Sequence, residues 1–181
     1  MPSVLILLAH PALERSRLNR RLAEQVRGLD GVTLHDLYEA YPDFSIDVPR
    51  EQALLLEHDT VVFQHPMFWY STPAMLKEWQ DLVLQHGWAY GSAGTALAGK
   101  RLLCALTTGA QREAYTPEGF HGCTIDELLR PLERTARLCG MRWLTPFVTH
   151  GALRMSAEDV EAAALRWRGR VEALRDGREE V

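Results

Sequence analysis

The sequence predicts a three-layer α/β sandwich on a five-stranded parallel sheet, and three observations carry that expectation. Short β-rich apolar runs recur at wide spacing along the 181 residues, at 3–9, 32–37, 60–64, 101–108 and 141–149. Segments with a helical apolar period lie between them. The first, third and fourth runs, SVLILLA, TVVFQ and RLLCALTT, are almost continuously apolar, as strands covered on both faces must be. Such alternation calls for right-handed crossovers and helices on both sheet faces.

In chain order, the first strand ends at His10-Pro11, and the helix after it carries Leu18, Leu22, Val26 and Leu29 on one face. VTLHDL follows, then PREQALLLEH, which Pro49 opens at a first-turn position where its missing N–H is no loss. TVVFQ leads into TPAMLKEWQDLVLQ, opened by Thr72-Pro73. RLLCALTT precedes a helix whose face is Ile125, Leu128, Leu132, Ala136 and Cys139. MRWLTPFVT is the last strand, and Val160, Ala164, Trp167, Val171 and Leu174 mark a long final helix. Five strands favour the flavodoxin-like order 2-1-3-4-5 over a six-stranded dinucleotide-binding sheet. With no repeat, low-complexity stretch or linker, residues 1–181 are expected to form one domain.

Composition narrows the function. The chain is 46% hydrophobic and 24% charged, and 20 Lys+Arg against 24 Asp+Glu give a net charge of -4. No basic field invites nucleic acid, so an anionic ligand must be held by local groups. Cys104, Cys123 and Cys139 are an odd count without CxxC spacing, which argues against disulfides or zinc and for a reduced, cytoplasmic setting. The N-terminus lacks a basic n-region and reads as a strand rather than a signal peptide. No segment approaches the ~20 apolar residues of a membrane span. Neither GxSxG, HExxH nor a paired acidic cluster is present, so hydrolase and metalloenzyme chemistry has little support and no metal site is expected.

In a sheet of this kind ligands sit outside the carboxyl ends of the strands. That directs attention to AHPALERSRLN, HPMFWYSTP and TTGAQREAYTPEGFHG. The first has no P-loop and no GxGxxG, but Ser16, Arg17, Leu18 and Asn19 begin a helix whose free N–H groups and positive end can take one phosphate monoester. The plainer alternative is a capping Ser16 beside solvated Arg15 and Arg17. His10 and His65 each close a central strand before a proline, placed to bond a phosphate or ribityl chain or to serve as ordinary satisfied histidines.

In the second loop Phe68, Trp69 and Tyr70 follow Met67 between Pro66 and Pro73. Three consecutive aromatics cannot all enter one core. They suit the flat wall a planar tricyclic cofactor needs, with a sheet-end plug or a subunit contact as the alternatives. Met67, Met75 and Trp79 themselves read as core and lip packing. In the third loop Thr107, Thr108, Gly109 and Ala110 can bring backbone donors close to a ligand, and Tyr115 and His121 are proton-transfer candidates without a visible orienting partner.

Taken together, LLAHP with Ser16 and Asn19, HPMFWYSTPAMLKEW leading to GWAYG, GTALAGKRLLCALTTGA and CGMRWLTPFVTHG resemble the flavodoxin-like NAD(P)H:quinone oxidoreductases, the family of DT-diaphorase. Within it, AYPDFSID at 40–47 is similar to a segment of the ancillary subunits of glutathione-gated potassium efflux antiporters. The resemblance covers about 3–152 and implies a flavin whose phosphate region meets Ser16, Arg17, Leu18 and Asn19, with His10 nearby. It implies that Met67, Phe68, Trp69 and Tyr70 line the isoalloxazine and that Thr107 to Ala110 meet its pyrimidine side, Ala110 standing where the family has a second glycine. Tyr115 and Gly119-Phe120-His121-Gly122 match a diaphorase pattern linked to charge stabilisation and proton relay.

The implied reaction is ping-pong hydride transfer from NAD(P)H to a quinone or similar electrophile. FMN is expected over FAD because one phosphate site is visible and the chain has no adenine-binding extension. NADH and NADPH are not distinguished, since Arg15, Arg17 and Arg112 are each either 2′-phosphate ligands or solvated charges. The resemblance further implies a homodimer, and its efflux branch implies a membrane potassium antiporter as partner at the inner face of the membrane, with redox activity secondary.

Overall fold

The computed structural model describes residues 3–178. Strands β1 (Val4–Leu8), β2 (Val32–Asp36), β3 (Thr60–Pro66) and β4 (Arg101–Thr107) pair in parallel in the order β2-β1-β3-β4, followed by two short segments, β5 (Arg142–Trp143) and β6 (Phe147–Thr149). Both short segments pair with β4, Arg142 beside Arg101 and Phe147 beside Ala105. The order 2-1-3-4-5 therefore holds, but the single fifth strand expected over 141–149 is broken at 144–146. Pro146 has no N–H to give the ladder, which accounts for the break.

Helices α1 (Arg17–Val26) and α6 (Ala157–Arg175) cover one face, burying Leu18, Leu22, Val26, Val160, Ala164, Trp167, Val171 and Leu174 against Val4, Ile6, Val62 and Leu103. The opposite face carries α2 (Leu37–Ala40), α3 (Val48–Glu57), α4 (Ala74–Val83) and α5 (Ile125–Leu138) over Leu5, Leu7, Phe63 and Leu102. Each central strand thus sends alternate residues into two cores, which is why β1 is buried throughout. On α5 the inward stripe runs through Leu129, Leu132 and Ala136; Leu128, expected inward, is only half-buried. A one-residue shift of that kind is what an isolated 3.6-residue period leaves open.

A buried carboxylate ties the second face together. Glu51 is fully buried and accepts from His35 Nε2 at 2.8 Å, Tyr41 Oη at 2.5 Å and Trp79 Nε1 at 2.7 Å. These donors come from β2, the end of α2, and α4. Burial pushes the Glu51 pKa up, but the three donors outweigh it and hold the carboxyl below its ordinary value.

Candidate functional site

Three loops meet beyond the carboxyl ends of β1, β3 and β4. The first ends at the start of α1, where Ser16 Oγ accepts from Asn19 N at 3.1 Å and Ser16 O accepts from Arg20 N. The capping role of Ser16 is therefore real. The Arg17 and Leu18 N–H groups remain without a partner among the described residues. His10 Nδ1 accepts from Ala12 N at 3.1 Å, so its proton sits on Nε2, and burial holds the ring neutral by lowering its pKa. The helix start thus offers two amides, and His10 a neutral ring N–H.

Beneath it lies a polar floor. Asn19 Nδ2 donates to Thr107 Oγ1 at 2.8 Å, and Gln64 Nε2 donates to Asn19 O at 3.2 Å. Asn19 Oδ1 and Gln64 Oε1 are buried acceptors with no protein donor. Asn19 is 2% exposed and spans from α1 to β4 rather than facing solvent, so it ties the helix start to the strand-four turn. Gln64, the residue before His65, was not singled out from sequence.

The second loop is a tight reversal. Phe68 N donates to Ser71 O and Ser71 N to Phe68 O, both at 3.0 Å, with Trp69 at φ 49° and Tyr70 at φ 63° between them. Two consecutive left-handed residues closed by that reciprocal pair match a type I′ turn, which ordinarily takes Asn-Gly. Bulky residues there store strain of about 1–2 kcal/mol apiece. The strain holds Trp69 95% exposed, with Phe68 and Tyr70 about half exposed. The Trp69 and Tyr70 N–H groups also have no partner among the described residues. Met67 N donates to Thr107 O at 2.8 Å, locking this loop to the next, and the Phe68 ring meets His10 edge-on at 6.1 Å.

Of the two roles open to His65 at the carboxyl end of β3, the structure favours the buried structural histidine. It is 1% exposed, its Nδ1 bonds its own Pro66 carbonyl at 2.9 Å, and its ring lines a cavity of about 150 Å³ with Gln80 and Leu132, on the α4–α5 side of the sheet. The alternation of side chains along β3 sends Gln64 to one face and therefore His65 to the other. Burial drops its pKa from 6.5 to about 4. The unfolded chain therefore binds a proton that the folded protein refuses, and stability falls as pH drops from 6.5 toward 4. A gap of that size is worth about 3 kcal/mol. Urea midpoints measured across that window should decline in the wild type and decline much less in His65→Leu. Parallel curves for the two proteins would contradict the assignment.

The third loop begins with buried Thr107 and Thr108 and rises to Gly109 and Ala110 at the surface, whose N–H groups find no acceptor among the described residues. Neither is left-handed, so Ala110 stands in the second glycine's place without strain. Tyr115 is buried and stacks on His121 at 4.4 Å and 27°, and His121 Nδ1 lies 3.2 Å from Tyr70 Oη. Burial raises the Tyr115 pKa, keeping its hydroxyl protonated. The orienting partners missing from the sequence are thus Tyr70 for His121 and, for the turn, His150, whose Nδ1 is 3.0 Å from Thr108 Oγ1.

The thirteen residues expected to bind a cofactor lie on these three loops, the strand ends beneath them and the first turn of α1, with Tyr115 and His121 beside them. Unpartnered amides at Arg17, Leu18, Trp69, Tyr70, Gly109 and Ala110 surround a polar floor and an exposed aromatic turn. That donor set fits a ligand with one phosphate, a polyhydroxy chain and a flat ring edged with acceptors. Fold and site together define an α/β protein of the doubly wound class with a donor-lined site at the carboxyl ends of its strands.

Residues 2–171 match the family described by its flavodoxin-like fold, and the chain belongs to that family. It is 49% identical over 162 residues to the uncharacterised NAD(P)H oxidoreductase YrkL of Bacillus subtilis, covering 90% of this chain and 93% of that one. It is 47% identical over 168 residues to the glutathione-regulated potassium-efflux system ancillary protein KefF of Klebsiella aerogenes, covering 93% and 94%. Among solved structures, general stress protein 14 of Treponema denticola in complex with FMN superposes with a TM-score of 0.90 at 40% identity, covering 96% of this chain and 99% of that one. An NADPH-quinone reductase from P. pentosaceus superposes at 0.85 and 31% identity, covering 93% and 97%.

Proposed function

We propose that the protein is an FMN-dependent NAD(P)H:quinone oxidoreductase, formed by one flavin-binding domain. The observation that carries this reading is the set of unpartnered backbone donors on three strand-end loops around an exposed aromatic turn. The FMN complex of general stress protein 14 and the names of the oxidoreductase relatives support it. FMN, when bound, supplies two-electron hydride chemistry.

The chain's own residues do the rest. Arg17 and Leu18 amides with His10 Nε2–H hold the phosphate end, and Asn19 keeps the helix start in register with β4. Phe68, Trp69 and Tyr70 would form the wall against which a flat ring stacks. The Gly109 and Ala110 amides, preorganised because the turn is already closed, would hold the acceptor edge of the flavin and could stabilise negative charge there. Tyr115 stays protonated beside His121, and the pair holds a proton at the rim for an acceptor that gains two electrons.

Exposed Trp69, Phe120 and Leu153 around the loops support a homodimer whose second copy covers these apolar surfaces. A cytoplasmic location fits free Cys104, Cys123 and Cys139, and no helix among the described residues is long and apolar enough to cross a membrane. The purified protein should be yellow, bleach on adding NAD(P)H under nitrogen, and recover colour on adding a quinone. A colourless protein that cannot be reconstituted with FMN would sink the reading.

A second role is favoured by one further observation: within the segment 40–47, residues 42–45 are exposed, with Phe44 at φ 64°, beside a relationship to KefF. On that reading the protein sits at the inner membrane face as an ancillary subunit of a potassium antiporter. Potassium efflux in cells that persists with a redox-dead variant would separate this role from the enzyme activity.

A further inference from the structure

We propose that His150 is a positioning residue for the Thr107–Ala110 turn, acting through the Thr108 hydroxyl to set the turn's free amides; this rests on the flavin-site reading above. Thr108 is 1% exposed, and its Oγ1 lies 2.9 Å from Ala110 O and 3.0 Å from His150 Nδ1. A carbonyl can only accept, so the single hydroxyl hydrogen goes to Ala110 O. Oγ1 must then accept, and the imidazole must be the tautomer with its proton on Nδ1. Burial, and Arg112 nearby, hold the ring neutral by lowering its pKa, consistent with one defined tautomer.

Backbone bonds run beside this relay. Thr108 N donates to Thr149 O at 3.0 Å, Ala152 N to Thr108 O at 2.9 Å, and Gly151 N to Ala110 O at 2.9 Å. The Ala110 carbonyl therefore takes two donors, one from Gly151 and one from Thr108. The Ala110 carbonyl fixes the plane it shares with Gln111 N–H, and the Thr108 carbonyl, held by Ala152 N, fixes the plane that carries Gly109 N–H; the Gly109–Ala110 peptide between them is thereby confined, and the Gly109 and Ala110 amides have no partner among the described residues. His150 also approaches Tyr115, ring centroids 5.6 Å apart, so one side chain braces both the turn and the tyrosine beside His121.

The mechanism predicts a pattern that loss of bulk does not. His150→Leu removes the imidazole donor and leaves the Thr108 hydroxyl held only by Ala110 O and the neighbouring Tyr115 side chain. Thr108→Val removes the hydroxyl at nearly constant shape. Each should weaken FMN binding by the apoprotein about tenfold, read by quenching of flavin fluorescence. The double variant should be no weaker than the poorer single, because both break one relay. His150→Asn, whose amide nitrogen falls near the position of Nδ1, should recover affinity to within about threefold.

Hydrogen exchange at Gly151 N–H in the apoprotein supplies a readout that needs no flavin: protection should fall in His150→Leu and return in His150→Asn. Unchanged exchange and unchanged FMN affinity in His150→Leu would overturn the proposal, as would additive losses in the double variant. A wild type that binds no FMN but shows the exchange pattern would overturn the flavin reading and leave the relay standing.

Discussion

Glu51→Ala is expected to lower the melting temperature by about 10 °C or more. The substitution removes the acceptor shared by three buried donors, His35 Nε2, Tyr41 Oη and Trp79 Nε1, which have no other acceptor among the described residues. Each orphaned donor costs about 1–3 kcal/mol, against a total stability of about 5–15 kcal/mol for a domain. For a chain of this size about 1 kcal/mol corresponds to roughly 2–4 °C. Glu51→Gln keeps one acceptor oxygen but turns an amide N–H₂ toward the remaining donors, so it should fall between the two. Differential scanning calorimetry checks both, and a shift under about 3 °C for Glu51→Ala would show that the three donors find other partners.

Glu51 and His65 separate by pH. The Glu51 pKa sits below its ordinary 4.5, so its contribution is complete above that value and is lost as pH falls through the lower, folded-state value. His65 acts earlier, between 6.5 and about 4, because there the folded protein resists protonation. His10 and His150, also held below their usual value, act in the same direction as His65. Wild-type stability should therefore decline in two stages on acidification. Glu51→Gln should shrink the later one, to which Asp43, Glu127, Glu161 and Asp176 also contribute, while leaving the earlier slope intact.

How far the sequence carried depended on whether a feature is local. Continuous apolar runs in β1, β3 and β4 made the parallel sheet and its order legible, because a strand covered on both faces cannot hide its composition. The break of the fifth strand at 144–146 was less legible, since a two- or three-residue strand exists only through its pairing with β4. The ligand loops were legible by position, and Ser16, Trp69 and Gly109 lie on the loops to which they were assigned. Their partners were not. His150 is 42 residues from Thr108, and Asn19 is 88 residues from Thr107, so only the folded chain brings them together. Sequence could not separate the two roles open to His65, because His-Pro at a strand end resembles His10-Pro11, while the pleat, which decides the face, is set by β3 as a whole. The Glu51 network gave no warning, since a glutamate in the first turn of a helix ordinarily faces water.

Replacing Trp69-Tyr70 with Asn-Gly should stabilise the apoprotein and impair flavin binding together. The turn from Phe68 to Ser71 already has the left-handed dihedrals that Asn-Gly prefers, so the swap keeps the backbone and relieves strain of about 1–2 kcal/mol per residue. Little packing is lost at Trp69, which is 95% exposed. Tyr70 gives up its contact to His121, an exposed hydrogen bond at 3.2 Å that contributes modestly to folding. Net stabilisation is therefore expected, by about 1 kcal/mol or more in urea unfolding. The aromatic wall disappears at the same time, and stacking on rings of this kind is worth about 1–3 kcal/mol, so FMN affinity should fall by about 10- to 100-fold. The single change Trp69→Ala should give the larger part of that affinity loss with a shifted flavin spectrum. Strain retained at two exposed aromatics makes sense only where their presentation is used. A variant that gains stability yet binds FMN as the wild type does would move the trio from a flavin wall to a subunit contact, and sedimentation of the same variant would then show the dimer dissociating.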